Sequence, residues 1–155
     1  MVSQKGNGYT AYATKSKGAM HRLNNLPNQD AWKIENFNNI IVIAVADGLG
    51  SKKCKYSQFG SRIAVKVFCD LIKEIHLKFK DDKILFFNTL SKFRHDKLPK
   101  NIENLWRSEV ELHYLNNVAE DEENSFESIL EYYATTLLGL VLSKDFYFAV
   151  QIGDG

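Results

Sequence analysis

The sequence predicts an α+β fold, in which antiparallel strands are separated along the chain by a block of helices. Three observations predict this class. Two strand-like runs, Ala31–Phe37 and Ile40–Ala46, adjoin at Asn38-Asn39; helical periodicity follows from Ser57; and two more strand-like runs come near the end. Because strands and helices do not alternate strictly, we do not expect a doubly wound parallel sheet.

The predicted strands differ in pattern. The segment Tyr9–Thr14, rich in Thr, Tyr and Ala, is typical of an edge strand, whereas Gly18–Gln29 is polar, contains a proline and is predicted as a loop. The run Ile40–Ala46 is apolar at every position, which predicts a strand buried on both faces. The runs Ala134–Leu142 and Phe146–Ile152 complete the predicted strands.

The middle of the chain has helical periodicity. Apolar residues recur every four positions from Phe59 to Ile75, which predicts one long amphipathic helix. Asp81-Asp82 is a candidate N-cap for a second helix, and Pro99 is expected to end that helix. The acidic segment Val118–Ser125 is predicted as a loop. Before it, a third predicted helix has one side formed by Ile102, Leu105, Trp106, Val110 and His113.

Composition argues against several classes of protein. The formal net charge of +1 gives no broad basic field for nucleic acid or a membrane surface. The first residues lack the apolar core of a secretory signal, and no apolar run is long enough to span a bilayer. Cys54 and Cys69 are too few for a disulfide framework. We therefore expect a cytoplasmic protein with reduced thiols.

Three aspartates stand next to predicted strands. Asp47 and Asp154 each follow a strand and precede a glycine, and Asp30 comes just before a strand. A sheet can direct short carboxylates from its strand ends into one space, where a hard divalent cation takes several oxygen ligands. Taken alone, however, an Asp-Gly pair after a strand is more often an ordinary turn.

Other polar residues leave two readings open. Lys52, Lys53 and Lys55 either attract a phosphorylated substrate or, more commonly for such a run, form a solvated loop. His21 is either a donor to phosphate or an exposed loop residue.

Six short segments, taken in order, carry a family resemblance. They resemble the N-terminal half of the metal-dependent protein phosphatases of the protein phosphatase 2C (PPM) type, most closely its bacterial branch. The segments are Gly18-Ala19-Met20-His21, Pro27-Asn28-Gln29-Asp30-Ala31, Val45-Ala46-Asp47-Gly48-Leu49-Gly50-Ser51, Tyr56-Ser57-Gln58-Phe59-Gly60-Ser61-Arg62-Ile63-Ala64, Ala134-Thr135-Thr136-Leu137-Leu138 and Ile152-Gly153-Asp154-Gly155.

The resemblance implies a fold and a metal centre. The fold is an α-β-β-α sandwich of two antiparallel sheets flanked by helices, with two Mn²⁺ or Mg²⁺ ions at one end and a third, weaker metal site. By resemblance, Asp47 bridges the ions, Gly48 contributes its backbone carbonyl, Asp30 holds a metal and Asp154 belongs to the third site. His21 and Arg22 stand where the family often has a phosphate-binding arginine.

The resemblance also implies an activity. A metal-activated water would hydrolyse phosphoserine or phosphothreonine in a phosphoprotein partner, with no nucleic acid or membrane involved. The alternative is a pseudophosphatase or regulatory binding module with the same fold. The family's two later metal-binding aspartates would lie beyond residue 155. We therefore interpret residues 1–155 as the N-terminal part of a single truncated domain, and expect them to be inactive alone.

The chain departs from the family pattern at three further positions. Gln29 replaces an acidic residue before the first-motif aspartate, and Leu49 replaces a histidine that some members use as a general acid. The last motif reads Gly-Asp-Gly, with Gly155 in place of serine.

Overall fold

The computed structural model describes residues 2–6, 8–23, 27–37, 39–79, 82–118 and 126–153. Two antiparallel sheets and a group of helices form the fold. The strands are β1 (Val2–Gly6), β2 (Tyr9–Ala13), β3 (Ala31–Phe37), β4 (Ile40–Ala46), β5 (Leu137–Ser143) and β6 (Tyr147–Ile152). The helices are α1 (Ala19–Leu23), α2 (Ser57–Lys78), α3 (Lys83–Phe93), α4 (Lys97–Asn117) and α5 (Phe126–Tyr132).

The sheet topology confirms the predicted α+β class with two antiparallel sheets. One sheet pairs β1 with β2, and the other has the order β3-β4-β5-β6 with every pair antiparallel. The two sheets meet through a small apolar cluster that includes Ala11 of β2, Ile34 of β3 and Ile41 of β4. The Nδ2 of Asn36 also donates to the Lys5 carbonyl at 2.6 Å, which ties β3 to the first sheet.

The main core lies between the four-stranded sheet and the helices. Alternate residues of β4, from Ile40 to Ala46, face α2 because successive side chains of a strand point to opposite faces. Phe68 of α2 is fully buried and lies directly over Gly139 of β5. The helix therefore packs closely on the sheet where the facing strand has no side chain.

The opposite face of β4 is only partly covered, so the expectation of burial on both faces is wrong for one position. Ile41 is fully buried between the sheets, but Val45 is 43% exposed. Leu138 of β5, its partner in the register, is 49% exposed. The described residues of the first sheet cover the β3–β4 side near Ile41, and the cover stops before the strand end at Val45.

The three predicted helices are present, but Pro99 does not end the second of them. The carboxylate of Asp82 caps α3 by accepting from the Leu85 N–H at 2.8 Å, whereas Asp81 lies outside the described residues. Helix α3 ends at Phe93, and Pro99 lies in the first turn of α4. A proline is tolerated there because the first N–H groups of a helix have no intrahelical partner.

Three elements were not predicted. Strand β1 begins in a polar stretch with no apolar alternation, and α5 follows the acidic segment that we predicted as loop, of which residues 119–125 lie outside the described residues. Helix α1 occupies part of Gly18–Gln29, so that loop prediction is wrong there. Leu105 is 44% exposed, so it does not share the buried side of α4 with Ile102.

No helix in the described part of the chain is long and apolar enough to cross a membrane. Both cysteines are free and buried. Burial raises the pKa of the Cys69 thiol to about 12, so this group stays protonated at neutral pH.

The contact between α2 and β5 predicts that Gly139→Ala destabilises the fold. A Cβ at this position would lie 2.4 Å from the Phe68 ring, and overpacking of this kind costs about 1–3 kcal/mol. We expect a loss of that size in the free energy of unfolding, measured by urea denaturation of the intact protein. Gly18→Ala is the matched control, because nothing lies within 4 Å of its added methyl. Equal stability of both variants would contradict the packing.

His76 is a buried polar group in the same core. It is 5% exposed, and neither ring nitrogen has a hydrogen-bond partner among the described residues. Its ring instead contacts Phe86 edge-on, with centroids 5.2 Å apart. Burial without a partner disfavours the charged imidazolium and lowers the pKa of His76 from its usual value of 6.5.

The lowered pKa of His76 predicts a loss of stability in acid. Above pH 6.5 the ring is neutral in both states; below it, the unfolded chain binds a proton that the folded chain resists. Stability should therefore fall as the pH drops below about 6.5, by at most about 1.4 kcal/mol per pH unit for one such proton. We expect His76→Leu to reduce this slope in urea denaturation between pH 5 and 7. A slope equal to that of a control, His95→Gln at an exposed histidine, would contradict the assignment.

Candidate metal centre

Asp47 follows β4, and its backbone is fixed by the chain that enters β5. The Asp47 carbonyl accepts from the Thr136 N–H and from the Thr135 hydroxyl, both at 2.9 Å. The Asp47 N–H donates to Thr136 Oγ1 at 3.3 Å. Gly48 forms an antiparallel bridge with Thr135, and the Leu49 N–H donates to the Ala134 carbonyl at 3.0 Å. The β4–β5 pairing therefore continues past the aspartate. The strand end is therefore held rigidly.

Asp30 reaches the same place from β3. Ala31 pairs with Ala46 in the β3–β4 register, which sets Asp30 beside Asp47 at the end of the sheet. Both aspartates are exposed and line one cavity of about 520 Å³, which we call the acidic cavity. The structure thus brings together two of the three aspartates that the sequence singled out.

Gly48 is required by close backbone contacts. It is buried, and a Cβ on it would lie 2.7 Å from the Ser57 carbonyl oxygen and 2.8 Å from that of Gln29. Its N–H donates to the same Gln29 carbonyl at 3.3 Å. Only glycine lets the chain turn away from Asp47 while remaining packed against the start of α2.

Gln29 braces the site in a way that the sequence analysis missed. Its Nε2 donates to Ser57 Oγ at 2.7 Å and to the Leu49 carbonyl at 3.3 Å, while its own carbonyl accepts from the Ser61 hydroxyl. The residue noted for its lack of charge therefore joins the Asp30 loop, the Asp47 loop and α2. A neutral amide suits this position because the Leu49 carbonyl needs a donor, which a carboxylate lacks.

A histidine–tyrosine contact supports the segment that fixes Asp47. The OH of buried Tyr133 lies 2.8 Å from His113 Nδ1. Burial raises the pKa of Tyr133 and lowers that of His113, so a neutral phenol and a neutral imidazole share this hydrogen bond. Helix α4, which carries His113, thereby holds the chain just before Thr135.

The remaining predicted site residues are placed less fully. Asp154 and the side chain of His21 lie outside the described residues. Arg22 is exposed on α1 and does not belong to the described lining of the acidic cavity. The cation that does line the acidic cavity is Lys15, in the loop after β2. The sequence offered no signal for it, because only the arrangement of the sheets brings that loop to Asp30.

The last described residue, Gly153, reaches the same end of the sheet. Ile152 pairs with Leu137, and a Cβ on Gly153 would lie 3.4 Å from Thr136. Gly153 has φ +85°, a conformation that favours glycine. Together with Asp47 it lines a second cavity of about 750 Å³, on the side of α4.

The lysines after Gly50 lie apart from the acidic cavity. Lys52, Lys53 and Lys55 are exposed, and none belongs to its described lining. The Lys55 ammonium lies 5.0 Å from the centroid of the Tyr132 ring.

The donor atoms at the acidic cavity suit a hard divalent cation. Asp30 and Asp47 provide carboxylate oxygens, the ligand type that Mg²⁺ and Mn²⁺ prefer. Within the described residues, however, no group of three His, Cys, Asp or Glu side chains is arranged to hold a metal ion. Among the described residues, the acidic cavity therefore has two candidate cation ligands, Asp30 and Asp47.

Comparison with known proteins identifies a family for this chain. Residues 17–155 match the family model described as protein phosphatase 2C. Neither the curated proteins nor the solved structures include a significant match to this chain. The family match spans both aspartate loops, the Thr135-Thr136 segment and every helix, and on this basis the chain belongs to the protein phosphatase 2C family.

Proposed function

We propose that the intact protein is a Mn²⁺- or Mg²⁺-dependent phosphatase that removes phosphate from phosphoserine or phosphothreonine in proteins. The observation that supports this most is the position of Asp30 and Asp47, which lie just outside the Ala31–Ala46 pair at adjacent strand ends and line one cavity. Both side chains are exposed at this cavity, and carboxylate oxygens are the ligands that Mn²⁺ and Mg²⁺ prefer.

Each residue of the proposed site has a role. If the ions bind as the family resemblance implies, Asp47 would be shared by two of them, Asp30 would hold one, and Gly48 would offer its backbone carbonyl. Asp154 contributes to a third, weaker site. When bound, the divalent cations supply an activated water and neutralise the charge that develops on the transferring phosphoryl group. Thr135 and Thr136 keep Asp47 in position.

The substrate phosphate needs a cation from the protein. His21 and Arg22 are our proposed phosphate-binding residues, by their place in the first motif. Lys15 is a further candidate because its side chain lines the acidic cavity. We further propose that the enzyme is cytoplasmic, that it acts without nucleic acid or membrane, and that residues 1–155 form the N-terminal part of its domain.

A pseudophosphatase is the second candidate. Asp30 and Asp47 are the carboxylates of the acidic cavity among the described residues, and a protein that kept this fold without further ligands would bind no metal. The two proposals differ in metal binding. Titration of the intact protein with Mn²⁺ by isothermal calorimetry should give bound ions for a phosphatase and no heat of binding for a pseudophosphatase.

The metal role of Asp47 predicts that Asp47→Asn nearly abolishes activity. In asparagine an NH₂ group replaces one carboxylate oxygen, so the side chain loses the negative charge that would hold both ions. We expect Mn²⁺-dependent turnover of p-nitrophenyl phosphate by the intact protein to fall by more than roughly 100-fold. The control is Asp145→Asn. Asp145 is an exposed aspartate in the β5–β6 turn and forms an ion pair with Lys83 of α3. Unchanged turnover in Asp47→Asn would remove this residue from the site.

The backbone hold on Asp47 predicts a weaker metal site in Thr135→Val. Valine keeps the shape of threonine but loses the hydroxyl that donates to the Asp47 carbonyl. We expect the Mn²⁺ concentration for half-maximal activity to rise by about 10-fold to 100-fold, as for other groups that orient metal ligands. Thr10→Val, at an exposed threonine of β2, is the control. If both variants need the same Mn²⁺ concentration, Thr135 does not position Asp47.

A further inference from the structure

A second cleft lies at the free edge of β3, next to the acidic cavity. Its volume is about 300 Å³, and the described residues that line it include three cations and no acid. Lys15, Ala31 and Trp32 line both spaces, so the two are adjacent. We call this second space the basic cleft; its lining is Lys15, Ala31, Trp32, Lys33, Arg62 and Val65.

Two of the three cations are available to a ligand. The ammonium of Lys33 already forms ion pairs with Glu35 at 2.5 Å and Asp70 at 3.5 Å. Among the described residues, no carboxylate lies within ion-pair distance of Lys15 or Arg62. Their charge is therefore directed at solvent or at a bound anion.

Arg62 is also held in place before any ligand binds. Its guanidinium carbon lies 5.6 Å from the centroid of the Phe59 ring, within the range of a cation–π contact. A guanidinium held on an aromatic face loses less freedom when it binds an oxyanion than a free side chain does. Because the formal net charge of the whole chain is only +1, this cluster of cations is a local feature.

We propose that the basic cleft binds a second anionic group of the substrate, carried by a residue that flanks the phosphorylated serine or threonine. This inference rests on the proposed phosphatase function. The phosphoryl group of the substrate would lie at Asp30 and Asp47. On one side of the phosphorylated residue, the substrate backbone would then run past Lys15 and Trp32, so that the side chain of the neighbouring substrate residue faces Arg62. The favoured substrate class is thus a phosphoprotein with glutamate, aspartate or a second phosphate beside the reacting residue.

The size and surroundings of the cleft favour a single anionic group over a nucleic acid. Nucleic-acid backbones are bound by an extended stripe of cations along a face or helix. Here the two available cations border one small cleft, and the adjoining cavity is acidic. Two available cations at one small cleft do not form such a stripe.

The test compares phosphothreonine peptides that differ only in the flanking residue: glutamine, glutamate or phosphoserine. For the unaltered intact protein at low salt, we expect kcat/KM to be about threefold to tenfold higher with glutamate than with glutamine, the range for one or two exposed ion pairs. This ratio should approach one in Lys15→Ala and in Arg62→Ala, and also in the unaltered protein at high salt. A larger gain with phosphoserine than with glutamate assigns the cleft to doubly phosphorylated substrates.

Two controls locate the effect. Lys144→Ala, at an exposed lysine in the β5–β6 turn, should leave both the ratio and the turnover of p-nitrophenyl phosphate unchanged. Lys52→Ala/Lys53→Ala tests the loop after Gly50 as a competing source of attraction. The proposal is overturned if the unaltered protein has equal kcat/KM for the glutamate and glutamine peptides. It is also overturned if Lys52→Ala/Lys53→Ala removes the preference for glutamate while Arg62→Ala leaves that preference intact.

A binding measurement separates this inference from the proposed activity. The indole N–H resonance of Trp32 is followed by NMR while unphosphorylated peptides with glutamate or glutamine are added to the intact protein. We expect the glutamate peptide to shift the Trp32 indole resonance more than the glutamine peptide does. The resonance of Trp106, which lines the cavity of about 750 Å³, should not shift. Equal shifts from both peptides overturn the proposal. Absence of turnover with a selective Trp32 shift would refute only the phosphatase function.

Discussion

The backbone pairing of β4 with β3 and β5 is the constraint on which the candidate site depends. Because the β3–β4 register sets Ala31 against Ala46, the residues just outside it, Asp30 and Asp47, come to the same sheet end. The β4–β5 ladder runs on to the Gly48–Thr135 bridge, so Asp47 cannot shift along its strand without breaking several hydrogen bonds at once. The site is an extension of the sheet and inherits its rigidity.

The helical layer makes this arrangement hard to alter. A Cβ on Gly60 of α2 would lie 1.8 Å from the Tyr133 carbonyl oxygen, so helix and strand-entry segment are in direct backbone contact. Trp106 of α4 donates its indole N–H to the Gly60 carbonyl at 3.1 Å, which clamps the same turn from the other side. Gln29 then links this turn to both aspartate loops. A movement of α2 against the sheet would therefore reach Asp30 and Asp47 directly, through packed atoms and hydrogen bonds.

The features that could be predicted from the sequence are those set by interactions between residues close together in the chain. Strands β3 and β4 have the predicted bounds because their apolar pattern and short turn are local signals. The partial exposure of Val45 and the placement of Pro99 in the first turn of α4 depend on tertiary packing or on where a helix begins, which periodicity does not encode. At the site, Asp30 and Asp47 were predictable from their strand ends. Lys15 and the bracing role of Gln29 were not, because they depend on how separate loops meet in space.

The charges around the sheet end are arranged in two neighbouring regions of opposite sign. Carboxylates without cations would repel a phosphorylated substrate, and a basic cleft alone would bind anions without acting on them. The two regions lie side by side, with Lys15 lining both, and together they would orient a bound substrate that carries two negative groups. Under the proposed function, the reacting phosphoryl group would lie where metal ions offset Asp30 and Asp47, and under the further inference the other negative charge would lie against Arg62. Since the attraction at Arg62 acts equally before and during phosphoryl transfer, it should lower KM for such substrates and leave kcat largely unchanged.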